Sequence, residues 1–222
     1  MATLHIITTK DGSTSLWNEQ LDETYHSRHG AITESKHVFI QYGLLPLLPK
    51  HSPLQLLEVG FGTGRNALLT LEMAMKFPHT EIYYTALEPY PISLSLIEQL
   101  NYADSDPLKS SFLSLHNAPW EISERILPNF HLLKLKTRLE DVILQPDFYH
   151  VVYFDAFAPS KQPEMWHVSQ FEKLFSVLRG GGVLVTYCAK GAFKRALKQV
   201  GFYVETLPGP PGKREMTRGL KR

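Results

Sequence analysis

Three features of this 222-residue sequence have the residue types of a working site. The first is a stretch with glycines at 60, 62 and 64, entered through Glu58 and Val59 and left through Arg65 and Asn66. Glycines at this spacing permit a tight turn and let a ligand press against bare backbone at a helix N-terminus. The pattern is G-x-G-x-G, whereas the dinucleotide fingerprint is G-x-G-x-x-G. The second is Glu88, which closes the next apolar run and is placed to accept both hydroxyls of an adenosine ribose. Together they predict an adenosine-bearing ligand; without one they are turn glycines and a solvated strand end. The third is Asp155, followed by Ala156, Phe157, Ala158 and Pro159. An acid here can accept a hydrogen bond from an amine, orient its lone pair and take up its proton, while a nearby aromatic face stacks on a flat ring. The other use for such an acid is to cap the helix that follows.

Residues this far apart need a scaffold that gathers them, and the apolar pattern describes one. Strands are expected over 54–59, 82–87, 132–135, 151–154, 183–187, 203–207 and 216–220, with helices over 64–75, 92–100, 170–178 and 193–200. This alternation means βαβ units and a mostly parallel sheet covered on both faces. The last two strands are joined by a loop built on Pro208, Gly209, Pro210, Pro211 and Gly212, too short for a helical crossover, so they should pair antiparallel. The glycine turn, Glu88 and Asp155 then lie at carboxyl ends of strands, where open α/β sheets bind ligands. Residues 1–50 read differently. They hold a turn at Asp11, Gly12 and Ser13, a polar run to Ser35 without regular periodicity, and a helix over 34–48 that can bury Val38, Leu44, Leu45 and Leu48 before Pro49. We read 1–50 as an N-terminal extension, an arm and a helix, packed on a main domain of 51–222. Residues 25–35 would form either a lid or a surface arm.

Composition sets the outer bounds. At 43% hydrophobic and 20% charged residues, collagen-like, disordered and disulfide-scaffold classes are excluded. Cys188 is the single cysteine, which leaves no disulfide framework or thiolate zinc site and suits a buried strand end. His26, His29 and His37 lack the carboxylates or thiolates that would complete a metal site, so no metal is expected. Trp17 and Trp120 read as packing residues. No apolar stretch has membrane-spanning or secretory length, so the expectation is a cytoplasmic protein without membrane contact. The net charge of +1 hides an asymmetry: residues 190–222 hold nine basic side chains against two acids, a local +7, and the preceding chain carries −6. Such a split suits either a polyanionic partner or a solvated helix face with a basic tail. Lys190, Lys194, Arg195 and Lys198 cluster on or beside one helix, and a proline-glycine loop presents Lys213 and Arg214.

The G-x-G-x-G turn with an antiparallel last strand resembles the class I S-adenosylmethionine-dependent methyltransferases. The Asp155 loop is similar to the Asp/Asn-Pro-Pro-aromatic loop of those acting on amino groups, with one proline in place of two. Further blocks are Asp11 to Ser13, Tyr25 with His26 and Ser27, residues 30–35, Pro163 with Glu164, Met165 and Trp166, and Lys213 with Arg214, Glu215 and Met216. In combination, and over nearly the whole chain, they resemble the methyltransferase part of the bacterial MnmC enzymes and their stand-alone MnmD relatives. The resemblance implies a Rossmann-like α/β fold, S-adenosylmethionine as cosubstrate, and methylation of the 5-aminomethyl nitrogen of a (2-thio)uridine at the tRNA wobble position. It implies Asp155 and Phe157 as catalytic residues. Glu58, Gly60, Gly62, Gly64, Asn66, Glu88 and Asp155 would surround the cosubstrate. Tyr25, Glu34, Trp166, Lys190, Lys194, Arg195, Lys213 and Arg214 would face the tRNA anticodon region, with Phe157, Trp166 or Tyr25 stacking the uracil.

Two departures qualify what the resemblance implies. These 222 residues leave no room for a flavin-dependent half, so no flavin is expected and the substrate should already be in the aminomethyl form. After the third strand, where the family often has an acid against adenine, stand Lys136, Thr137 and Arg138, with Glu140 and Asp141 further on, and the adenine contact is left open. Other readings of the same residues are a small-molecule amine methyltransferase, an aminopropyltransferase, and a tRNA-binding module without turnover. The oligomeric state is also left open.

Overall fold

The computed structural model describes residues 3–28, 30–48, 50–103 and 105–222. Its centre is an eight-stranded sheet built from β4 (Leu54–Val59), β5 (Ile82–Leu87), β6 (Ser123–Leu127), β7 (Phe130–Leu135), β8 (Tyr149–Phe154), β9 (Leu178–Thr186), β10 (Tyr203–Pro208) and β11 (Glu215–Leu220). The spatial order is β10-β11-β9-β8-β4-β5-β7-β6. Strands β9, β8, β4, β5 and β7 run parallel, β11 runs antiparallel to both β9 and β10, and β6 is antiparallel to β7. The short 209–214 connection makes β10 and β11 a hairpin, which places β11 inside the sheet against β9.

Helices cover both faces. The strands that form the middle of the sheet are mostly apolar on both faces because alternate residues face different layers. In β8, Val151 and Tyr153 join the layer of α2 (Arg65–Lys76) and α4 (Asp106–Asn117), where α3 (Leu94–Ile97) also packs. Val152 and Phe154 join that of α5 (Val168–Val177) and α6 (Gly191–Val200). The expected strands occur, with β7, β8 and β9 beginning earlier than the apolar runs, and so do the helices, except that the one expected over 92–100 shrinks to the single turn Leu94–Ile97. Two elements are additional. Helix α4 is serine-rich and buries only Phe112 and Leu115, and the edge strand β6 is largely exposed; neither has enough buried face to leave a periodic trace.

The N-terminal region is more regular than its polarity suggests. β1 (Leu4–Thr8), β2 (Thr14–Asn18) and β3 (Glu23–Thr24) form a three-stranded antiparallel sheet. The β1–β2 turn is closed by Asp11 Oδ1, which accepts from Thr9 Oγ1 at 2.7 Å and from Ser13 N at 3.1 Å. Asn101, in the loop between α3 and α4, ties that turn to the main domain, its Nδ2 donating to Gly12 O at 2.9 Å. The order comes from side-chain-to-backbone bonds, which apolar periodicity does not report. The following helix starts as α1 (Ala31–Ser35) and continues as a π-helix, Lys36–Leu44. The wider winding rotates the buried face: Val38, Leu44 and Leu48 are buried as expected, Phe39 and Ile40 join them, and Leu45 turns out to solvent at 36% exposure. Pro49 and His29 lie outside the described residues. No helix among the described residues is long and apolar enough to cross a membrane.

Candidate active site

Loops leaving the carboxyl ends of β4, β5 and β8 wall a cavity of about 1300 Å³. Gly60 leaves β4 with φ 93°, and a side chain on it would meet the carbonyl oxygen of Asp155 at 2.9 Å. Only glycine lets these two loops lie in contact. Gly64, at φ 71°, turns the chain into α2 against His116. Between them, Gly62 N donates to Glu88 Oε2 at 2.9 Å, and Tyr90 N donates to Oε1 at 2.8 Å. The glycine turn and the acid after β5 are thus one hydrogen-bonded unit. Each carboxylate oxygen keeps a further lone pair for a ligand hydroxyl. Burial raises the Glu88 pKa, and the two backbone donors draw it back.

Asn66, on the first turn of α2, links two acids. Its Nδ2 donates to Asp155 Oδ2 at 2.8 Å and to Glu58 Oε1 at 2.9 Å. Glu58 is wholly buried. Burial pushes its pKa well above its ordinary value despite the hydrogen bond from Asn66, and the charges of Asp155 and Glu88 add to the rise. Glu58 stands behind Asn66 and does not line the cavity. Asp155 does line it. Burial pushes its pKa up to about 7, against the Asn66 hydrogen bond and with a further upward push from Glu34. A carboxyl group balanced there can take a proton from an amine and release it again.

The outer wall comes from the N-terminal region and the β10–β11 loop. The Tyr25 ring meets Phe157 edge-on, with centroids 5.0 Å apart. Glu34 Oε2 accepts from Ser27 N at 3.0 Å, and Glu34 Oε1 is ion-paired with Lys213. The Lys213 ammonium lies 4.0 Å from the centre of the Tyr187 ring, and Tyr187 OH donates to Ala156 O at 2.8 Å. Trp166 stands behind the loop: its Nε1 donates to Phe157 O at 2.8 Å and its ring packs on Phe154 and Phe193, outside the cavity lining. Lys190, Arg195 and Arg214 are exposed and also outside it. Lys194 is bound within the protein, to Glu215 Oε2 at 2.8 Å and Thr206 Oγ1 at 2.9 Å. His37 Nε2 contacts Pro208 O at 2.8 Å, and among the described residues no three His, Cys, Asp or Glu gather as a metal site. Sequence spacing points to neither Tyr187 nor Arg65, yet both line the cavity. The available signals are Tyr187's position just past a parallel strand's carboxyl end, and a charged residue directly after the glycine turn.

Parallel strands with helices on both faces, an antiparallel β11, and a glycine turn leading from β4 into α2 define a Rossmann-like α/β architecture. The family described as S-adenosyl-L-methionine-dependent methyltransferase matches residues 111–222, and the chain belongs to it. Its relatives include the tRNA 5-methylaminomethyl-2-thiouridine biosynthesis bifunctional proteins MnmC of Idiomarina loihiensis and Cupriavidus necator. The first is 32% identical over 217 residues, covering 89% of this chain and 35% of the relative. The second is 30% identical over 215 residues, covering 90% and 32%. The chain thus spans about a third of the length of the curated relatives it matches. Among solved structures, MNMC2 from Aquifex aeolicus superposes over 100% of this chain and 72% of its own, with TM-score 0.84 and 23% identity. Spermidine synthase from Thermotoga maritima covers 98% and 71%, with TM-score 0.55 and 13% identity. These two likenesses are of fold.

S-adenosylmethionine, the cosubstrate of the family, suits the residues present. Glu88 has capacity for its ribose hydroxyls, and Asn66 Oδ1 is a buried acceptor without a partner among the described residues. The cavity exceeds the ~300–1,000 Å³ of a usual small-molecule pocket and leaves room for a second substrate.

Proposed function

We propose that the protein methylates the amino nitrogen of 5-aminomethyl-(2-thio)uridine at the tRNA wobble position, giving the 5-methylaminomethyl nucleoside. The observation that carries this reading is Asp155, a carboxyl group balanced near pH 7 and held by Asn66 beside the glycine turn, in a cavity with space for two substrates. A primary amine is protonated at neutral pH and cannot act as a nucleophile until a base takes its proton. The names of the relatives, which describe biosynthesis of 5-methylaminomethyl-2-thiouridine in tRNA, supply the nucleoside.

In this reading Glu88 holds the ribose, and the backbone of Gly60 and Gly62 and the Asn66 amide face the methionine portion. The bound cosubstrate supplies an electrophilic methyl group. Asp155 takes the proton of the substrate ammonium, orients the freed lone pair and passes the proton to solvent. Catalysis is otherwise alignment and exclusion of water. Tyr25 and Phe157 flank the uracil, while the exposed Lys190, Arg195 and Arg214 meet phosphates of the anticodon arm. Residues 1–50 act as an extension that closes a methyltransferase domain of 51–222. No flavin or metal takes part, and the reaction belongs in the cytoplasm. The test is nucleoside mass analysis of tRNA rich in 5-aminomethyluridine after incubation with protein and S-adenosylmethionine. A gain of one methylene in mass on that nucleoside is expected; an unchanged nucleoside would overturn the reading.

A further inference from the structure

Arg65 opens α2 directly after the glycine turn, yet its side chain is folded inward and the residue is only 2% exposed. Its guanidinium carbon lies 3.6 Å from the centre of the Tyr102 ring. Among the described residues, Nε and Nη2 have no hydrogen-bond partner and no carboxylate forms an ion pair with it. Asp11 and Glu72 act on it only through space. A guanidinium keeps its charge and offers five N–H donors, whereas an aromatic face screens one side and takes up none of them. A buried cation left in this state is unfavourable until an anion reaches it.

The anion has a direction of approach. Arg65 lines the cavity together with Gly60, Gly62, Thr63 and Asn66, the wall that faces the methionine portion of the cosubstrate. That portion carries one carboxylate and one ammonium. The wall has an unpartnered buried cation at residue 65 and an unpartnered buried acceptor, Asn66 Oδ1, at the next residue. The two charges of the ligand thus find complementary groups side by side in the sequence.

We propose that Arg65 receives the methionine carboxylate of the cosubstrate, and thereby makes the cavity select a donor that bears this carboxylate. The selection has a chemical consequence. A sulfonium that transfers an aminopropyl chain has no carboxylate on that chain, so Arg65 disfavours such donors and favours the methyl donor. The inference rests on S-adenosylmethionine as the ligand of this cavity, and the experiment separates the two.

Isothermal titration of the full chain would use S-adenosylhomocysteine and S-adenosyl-3-thiopropylamine, which differ only in the carboxylate. Wild type should prefer the carboxylate-bearing ligand by roughly 10- to 100-fold, the range of a charge-assisted pair. Arg65→Gln should bring the two affinities to within roughly threefold of each other by weakening the first alone, and Arg65→Lys should keep part of the preference. Equal affinities in wild type would overturn the proposal without any variant. So would an Arg65→Gln protein that weakens both ligands by one factor, since that is what a purely structural arginine does. A wild type that binds neither ligand would instead remove the S-adenosylmethionine reading of the cavity itself.

Discussion

The glycine turn and the basic final stretch both stand out in the sequence, but they fold to opposite degrees of resemblance to their pattern. At the turn, residues chosen for backbone reasons sit where the pattern puts them: Gly60 against Asp155, Gly62 on Glu88. In the final stretch, cations that look alike in sequence divide into two sets. Lys194 binds Glu215, Lys213 binds Glu34, Arg218 Nε binds Glu205 Oε2 at 2.6 Å, and Lys221 binds Asp147 at 2.7 Å. Lys190, Arg195, Lys198 and Arg214 remain exposed. A backbone requirement is local and so can be read from spacing. A charge takes its meaning from a partner that lies anywhere along the chain, here up to 179 positions away for Lys213 and Glu34.

The strongest test of the turn side is Asp155→Asn. The amide keeps an oxygen for Asn66 but cannot take a proton, so methyl transfer should fall by roughly 10²–10⁴-fold, with S-adenosylhomocysteine affinity by titration much less affected. The sign of the pH response follows from the same group. Burial puts the Asp155 pKa at about 7, and the proton-accepting form lies above that value. Wild-type kcat/KM should therefore climb tenfold per pH unit below about 7 and level off above it, while residual Asp155→Asn activity should not follow that curve. A wild-type profile flat from pH 6 to 8 would take the base role away from Asp155.

On the other side, replacing Lys190, Arg195 and Arg214 together with alanine should weaken tRNA binding by roughly 10- to 100-fold. The slope of log affinity against log salt should shrink by up to about three phosphate contacts. Lys194→Ala should leave both quantities nearly unchanged, because its ammonium already serves Glu215 and Thr206. If Lys194→Ala cost as much as the triple replacement, the division of the cations into two sets would be wrong.

What was legible in the sequence follows the same divide. The strands 54–59 and 82–87, the glycine turn, the strand-end positions of Glu88 and Asp155 and the antiparallel hairpin all rest on period, spacing and loop length. The three-stranded N-terminal sheet was not legible, because its order depends on Asp11 binding Thr9 and Ser13 and on Asn101 reaching back to Gly12. The exposure of Leu45 departs from the helical pattern because a π-helix shifts the register that a 3.6-residue period assumes. The resemblance implies that Trp166 stacks the base, whereas its ring packs among Phe154, Phe171 and Phe193 and its indole N–H bonds Phe157 O, contacts that spacing does not report.

Glu58 offers the smallest and sharpest contrast, since it belongs to the glycine segment yet behaves like the bound cations. Its pattern position suggests a ligand contact, whereas its carboxyl is wholly buried, has its pKa raised by that burial, and accepts from Asn66 Nδ2. Burial favours the neutral form of this acid, and the neutral form loses no charge on becoming an amide. Glu58→Gln keeps the acceptor oxygen for Asn66 and should hold kcat/KM within roughly threefold of wild type. Glu58→Ala removes the acceptor, frees the Asn66 amide to rotate and lowers activity through the misplaced Asp155. Steady-state kinetics of the two variants decides the matter: a large loss in Glu58→Gln means that the acid itself, in its charged form, meets a substrate.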